Sequence, residues 1–176
     1  MNIVNLNALI KLKNTDIEEY EKMLGDSFDI EVYGAIIKAT SIIEEEKDYV
    51  LDSLLKYRLK NATNSIRNIM LRGMKENKII FPIKYKSNKN AYLVIIYNDL
   101  EKKEEYLLIF NQRDIFNVDQ NDNFSNMGKI EELTNIIIEL KEEIRDNKDN
   151  FEYKQYKKEE LIKYRNVLKG VVKNEE

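Results

Sequence analysis

Three consecutive apolar runs near the middle of the chain constrain its fold more than any other feature. The runs are IIFPIKYK, AYLVIIYN and EEYLLIFN, and the short polar segments SNKN and DLEKK separate them. Each run is rich in β-branched and aromatic residues, so together they predict a three-stranded antiparallel sheet. Pro82 cannot donate a ladder hydrogen bond, and we therefore expect the first strand to lie at an edge of that sheet.

Helical patterns flank the predicted sheet on both sides. Before it, Thr15 and Glu18 have the spacing of a capping box and predict a short helix. Residues 32–60 carry apolar positions at helical spacing and form either one helix or two, and a further helix is predicted over residues 63–77. After the sheet, two helices with apolar residues every three or four positions predict an antiparallel hairpin over residues 127–176. The expected fold class is therefore α+β: N-terminal helices, a three-stranded antiparallel sheet and a C-terminal helical hairpin.

Missing residue types exclude most familiar enzyme chemistry. The 176 residues include no His and no Cys, so the chain lacks a Ser-His-Asp triad, a Cys nucleophile, a histidine base and the usual zinc ligands. Asp119, Asn121 and Asn123 alternate as in a calcium-binding loop, but Phe124 stands where that loop needs its glycine. We therefore expect a non-enzymatic protein without catalytic residues, metal or cofactor, and an enzyme that binds its metal through carboxylates is the remaining alternative.

Charge is unevenly distributed along the chain. The net charge is −3, yet residues 50–90 hold ten basic residues against two acidic ones, a net charge of +8. Residues 1–49 carry −6 and residues 91–149 carry −7. A basic block inside an acidic protein is typical of a polyanion-binding surface, because Lys and Arg release counterions from a phosphate backbone. The alternative is that the basic block pairs with the acidic segments around it.

The segment from Leu54 to Lys86 combines two predicted helices with the first predicted strand. Its apolar positions lie on the first helix, on the buried side of the second helix and at the start of the strand, at Leu55, Leu59, Ile66, Met70 and Ile79. In this pattern the segment resembles the winged helix-turn-helix DNA-binding superfamily, although Gly73 stands where that family has a large core residue. The resemblance implies that the helix over 63–77 enters the major groove of DNA and that the strand turn near Asn88 touches phosphates.

Helical geometry supplies candidate contacts on this second helix. With Ile66 and Met70 facing inward, the opposite face carries Asn and basic side chains and no acidic one. Arg can fork onto guanine and Asn onto adenine, whereas Lys is suited to phosphates. The predicted nucleic-acid-binding residues are Asn64, Arg67, Asn68, Arg72, Lys75 and Lys78 on the helix and just after it, with Lys84, Lys86 and Lys89 on the strand pair.

These features predict a DNA-binding transcriptional regulator of bacterial or mobile-element type, with duplex DNA as its partner. Residues 1–126 would form a helical and winged-helix-like domain, and residues 127–176 a hairpin through which a homodimer forms. The alternative is a phage or mobile-element interaction module, such as an inhibitor of a CRISPR nuclease or an immunity protein, that binds a protein partner with the same basic face. The sequence shows neither a secretory signal nor a long apolar stretch, so we expect a cytoplasmic protein without a membrane partner.

Overall fold

The structure, a computed structural model, describes residues 3–45, 48–86, 89–98, 103–118, 127–147 and 149–173. Within these ranges it mixes helices with one antiparallel sheet, and none of the described helices is both long and apolar enough to cross a membrane. In chain order the elements are β1 (Ile3–Asn5), α1 (Leu6–Thr15), α2 (Ile17–Ser27), α3 (Ile30–Glu44), α4 (Asp48–Asn61), α5 (Asn64–Lys75), β2 (Lys78–Lys86), β3 (Lys89–Asn98), β4 (Lys103–Ile109), α6 (Gln112–Ile115), α7 (Met127–Asp146) and α8 (Phe151–Val172).

The sheet has four strands rather than the predicted three, in the order β1-β4-β3-β2. β1 pairs with β4, and Val4 lies opposite Leu108 in this ladder. A strand of three residues is too short to show the alternation by which strands are identified, and for that reason the prediction of three strands was wrong. β2 lies at the other edge and pairs with β3, which confirms the expectation from Pro82.

Both faces of the sheet are buried. On one face a hydrophobic cluster joins the strands to Ile69 of α5 and Ile115 of α6, and its strand residues are Ile80, Tyr92, Val94, Ile96, Leu107 and Ile109. On the other face Phe81, Leu93 and Leu108 are also fully buried. Burial on both faces explains why β3 reads as a continuous apolar run rather than an alternating one.

The helices before the sheet differ from the prediction at their ends. Residues 32–60 belong to two helices, α3 and α4, and Asp29 caps the first of them through its side chain. α2 begins after Asp16 rather than Thr15, because the Glu19 backbone N–H donates to Asp16 Oδ1 at 3.2 Å. Thr15 instead ends α1, a helix absent from the sequence-based prediction.

The chain divides into two compact units that are discontinuous in sequence. Unit 1 comprises Met1–Leu6 and Phe28–Ser125, and it contains the sheet with α3, α4, α5 and α6. Unit 2 comprises Asn7–Ser27 and Asn126–Glu176. In unit 2, α7 and α8 pack against each other, and their apolar seam is buried at Ile130, Ile137, Leu161 and Leu168. The C-terminal helices are thus confirmed, and the functional division at residues 126 and 127 stays a prediction.

Candidate nucleic-acid interface

Helix α5 carries most of the predicted contacts, and its packing on the sheet determines which side chains are exposed. Thr63 caps the helix, since its hydroxyl accepts a 3.5 Å hydrogen bond from the Ile66 backbone N–H. The buried side of α5 packs on β2: Met70 is 1% exposed, and Gly73 is buried against Ile80. The helix predicted over 63–77 is therefore confirmed, with a slightly earlier end.

The exposed side of α5 forms a stripe of mainly polar residues. At about 100° of rotation per residue, Asn64, Asn68, Leu71 and Lys75 fall within about 60° of one another, opposite the side that packs on β2. All four side chains are exposed, and α5 contains no acidic residue. We call these four residues the α5 stripe. Its two amides can donate to and accept from base edges, and its ammonium group can bind a phosphate.

Arg67, which we predicted to read a base, donates hydrogen bonds to the protein backbone. Its Nε donates to the carbonyl of Leu59 at 3.1 Å, and its Nη2 donates to the carbonyls of Lys60 and Ala62 at 3.3 and 3.2 Å. These carbonyls lie at the C-terminal end of α4 and in the turn after it, where an ending helix leaves acceptors without intrahelical partners. These hydrogen bonds tie Arg67 to the connection between α4 and α5, and a contact of Arg67 with nucleic acid stays a prediction.

Arg67→Ala should lower the free energy of unfolding by about 1 to 2 kcal/mol, because three carbonyl groups lose a charged donor. Arg67→Lys should recover little of that loss, since one ammonium group cannot reproduce the planar fork. Urea denaturation followed by circular dichroism measures both variants. Asn68→Ala changes an exposed neighbour on the same helix and should stay within about 0.5 kcal/mol of wild type. An Arg67→Ala protein as stable as wild type would contradict the inference that Arg67 stabilises the connection between α4 and α5.

Two further predicted contacts lie beside Phe116, just after α6. The guanidinium carbon of Arg72 lies 3.9 Å from the Phe116 ring centre, and Arg72 Nε lies 3.4 Å from Glu76 Oε2, with the Arg72 side chain 62% exposed. Lys78, in contrast, is 8% exposed, and its Nζ donates to two backbone carbonyls at the end of α6 at 3.1 and 3.0 Å. The Arg72 side chain is thus exposed, whereas the Lys78 ammonium group is buried against these two carbonyls, and the contact of either residue with nucleic acid stays a prediction.

The strand pair β2–β3 carries the three remaining predicted lysines at one end. Lys84, Lys86 and Lys89 are exposed, and Lys86 lies opposite Lys89 in the ladder. Lys86 Nζ is 3.7 Å from Glu31 Oε2, while Lys84 and Lys89 form no ion pair with any described residue. The turn at Asn88 and the calcium-like segment 119–123 lie outside the described residues.

Sequence reasoning does not identify Phe116 as part of this surface. The residue lies in a polar segment beside a helix of one turn, α6, where periodicity carries little information. The available signal is the short apolar group Ile115, Phe116 and Val118 within a polar segment, which is typical of side chains that pack against residues distant in sequence. Phe116 holds Arg72 by a cation–π contact and so limits the directions in which that guanidinium can point.

Seven of the nine predicted residues therefore remain exposed on α5 and the strand pair: Asn64, Asn68, Arg72, Lys75, Lys84, Lys86 and Lys89. The chain matches no protein-family model, and no curated protein or solved structure matches it. Function is therefore inferred from the fold and the chemistry of its surfaces.

Proposed function

We propose that this protein is a non-enzymatic, DNA-binding transcriptional regulator of bacterial or mobile-element type that contacts duplex DNA through the α5 stripe. The observation that carries the proposal is the position of the stripe. Its amides and its ammonium group face away from the packed side of α5, on a helix without acidic residues. A helix of this kind can lie along a major groove without bringing a carboxylate near the phosphates.

Each member of the stripe has a distinct part in the proposed complex. Asn64 and Asn68 are suited to adenine, whose major-groove edge offers one donor and one acceptor to an amide. Leu71 can contact a thymine methyl group, and Lys75 a phosphate. The order α4, α5 and then the β2–β3 pair is that of a helix-turn-helix followed by a wing, and Lys84 and Lys89 would reach the adjoining backbone.

Dimerisation through the C-terminal hairpin forms part of the same proposal. Ile136 and Ile138 of α7 are only partly buried, which leaves apolar surface that a second copy could cover. A two-fold dimer would present two α5 helices to two DNA half-sites, and their spacing would supply much of the sequence specificity.

Removal of two stripe contacts tests the proposal directly. Asn68→Ala combined with Lys75→Ala should weaken binding to a pool of duplex DNA by roughly tenfold or more, because one base contact and one phosphate contact are lost. Fluorescence anisotropy at fixed salt measures the affinity. Both side chains are exposed, so the variant should unfold at the wild-type temperature.

A matched pair on α8 provides the control for that experiment. Lys163→Ala combined with Asn166→Ala removes the same two side-chain types from exposed positions in unit 2 and should leave DNA affinity unchanged. Equal losses in the two double variants would show that affinity depends on overall charge and not on the stripe, and would overturn the assignment of α5.

A protein partner is the second candidate function, and two apolar side chains favour it. Leu71 and Met74 are 42% and 47% exposed. They lie one turn apart and side by side on the surface of α5, where a partner protein could bury them. The predicted anti-defence inhibitor or immunity protein would use this surface. Failure of the wild-type protein to bind duplex DNA at low salt would select this candidate over the regulator.

A further inference from the structure

Unit 2 contains a cleft whose lining is strongly basic. Residues of α2, α7 and α8 line an open cleft of about 530 Å³, and among the described residues six of the nine lining side chains are Lys or Arg and none is acidic. The apolar part of the lining comes from Ile144, Leu161 and Ile162. We call this the α7–α8 cleft. Its volume lies within the range of small-molecule sites, which is about 300 to 1,000 Å³.

Two of the six cations belong to a partly buried ion-pair network that holds the helices together. Glu19 of α2 is 3% exposed, and Arg165 of α8 donates to both of its carboxylate oxygens, from Nε at 2.9 Å and from Nη2. Lys141 of α7 lies 2.5 Å from Asp16 Oδ2 and 3.6 Å from Glu19 Oε1. The network fixes α2, α7 and α8 against one another and neutralises these two cations.

Asp16 is ionised as part of this network. Burial opposes the charge, but the hydrogen bond from Lys141, the backbone N–H of Glu19 and the charge of Lys141 together outweigh it and hold the pKa of Asp16 below its ordinary value. The carboxylates of the network are therefore matched to Lys141 and Arg165, and they do not offset the other cations of the cleft.

The remaining four cations are available to a ligand. Among the described residues, Lys22, Lys154 and Lys158 form no ion pair. Arg145 Nε has a distant contact, 4.0 Å, with the exposed Asp146. Four positive charges around one cleft repel one another, so a bound polyanion would relieve an unfavourable interaction as well as gain new ones.

From this arrangement we infer that the α7–α8 cleft binds a nucleoside polyphosphate. Several lysine ammonium groups around one cleft suit a chain of phosphates, which presents many oxygens without a fixed planar geometry. Ile162 is 56% exposed beside these cations and, with Ile144, offers an apolar surface for the flat face of a base. The limited volume favours a single nucleotide over an extended nucleic acid strand, which needs a longer groove that follows its backbone.

Calorimetric titration of the full chain with ATP tests this inference. ATP should bind more tightly than tripolyphosphate, because the nucleoside adds contact with the apolar surface. Lys154→Ala combined with Lys158→Ala should weaken ATP binding by about tenfold or more. The control, Lys163→Ala with Lys169→Ala on the same helix but outside the cleft lining, should change it by no more than about twofold at physiological salt.

A second comparison separates recognition of the nucleoside from simple attraction of charge. Ile162→Ser should weaken ATP binding while leaving tripolyphosphate binding unchanged. Equal binding of ATP and tripolyphosphate, or no effect of Ile162→Ser on either, would overturn the inference, as would the absence of ATP binding. The α5 variant Asn68→Ala with Lys75→Ala changes residues of unit 1 and should bind ATP as the wild-type protein does. Failure of the DNA-binding proposal can therefore be distinguished from failure of the ATP-binding inference.

Discussion

Glu19→Ala should lower the free energy of unfolding by about 3 to 5 kcal/mol, the largest effect that we expect from any single substitution in unit 2. The carboxylate is 3% exposed and is the shared partner of Arg165 and Lys141. Without it Arg165 would lose both of its hydrogen bonds and remain as a largely buried charge, with its side chain 17% exposed. Urea denaturation followed by circular dichroism gives the free energy.

Glu21→Ala is the matched control for this prediction. Glu21 lies on the same helix, α2, two residues further on, and its side chain is exposed. Its removal should change the stability by less than about 0.5 kcal/mol. Equal stability of the Glu19→Ala and Glu21→Ala proteins would mean that the ion-pair network does not stabilise unit 2. It would also contradict the inference that the network fixes the three helices that line the cleft.

Gly73→Val should lower the free energy of unfolding by about 2 to 3 kcal/mol. A Cβ atom at Gly73 would lie 2.5 Å from Ile80 Cδ1, 3.0 Å from Ile80 Cγ1 and 3.1 Å from the backbone carbonyl oxygen of Lys78. Ile80 is 1% exposed and cannot move without disturbing the sheet cluster. The glycine therefore allows α5 to approach β2 closely.

Gly34→Ala distinguishes loss of close packing from a general effect of replacing glycine. Gly34 lies inside α3, and a Cβ atom there would have nothing within 4 Å. Because alanine favours helix more than glycine does, this substitution should raise the stability by about 0.5 to 1 kcal/mol. In urea denaturation we expect the free energy of unfolding to fall for Gly73→Val and to rise for Gly34→Ala. A Gly73→Val protein as stable as wild type would contradict the close contact of α5 with β2.

The sequence was most informative where a pattern extends over many residues. The strands β2, β3 and β4 follow from long apolar runs that include β-branched and aromatic residues. The helices α7 and α8 follow from repeated apolar spacing, which comes directly from packing one helix face against a core. The features that the sequence analysis did not predict are a short strand and a local choice of capping residue. β1 has three residues, and the choice between Thr15 and Asp16 as a cap depends on which side chain reaches a backbone N–H, which spacing alone does not decide.

The candidate site residues were harder to predict than the helices and strands, because the charge of a side chain does not show which groups it contacts. Arg67 and Lys78 belong to the basic block, but both bind backbone carbonyls, one between helices and one beneath α6. The sequence analysis did not identify the α7–α8 cleft, because its basic residues do not form a block in the sequence. Its cations are scattered over α2, α7 and α8 among nearby acidic residues, and only the folding of unit 2 gathers them into one lining.

Binding of duplex DNA by α5 is tested most directly by fluorescence anisotropy of the wild-type protein with a mixed duplex pool and a single-stranded pool, titrated at low and at higher salt. With about four phosphate contacts, from lysines such as Lys75, Lys84 and Lys89, the logarithm of the duplex association constant should fall by about 3.6 for each tenfold rise in salt. Duplex should also bind more tightly than single strands. No duplex binding at low salt, or equal affinity for both pools, would contradict major-groove recognition by α5.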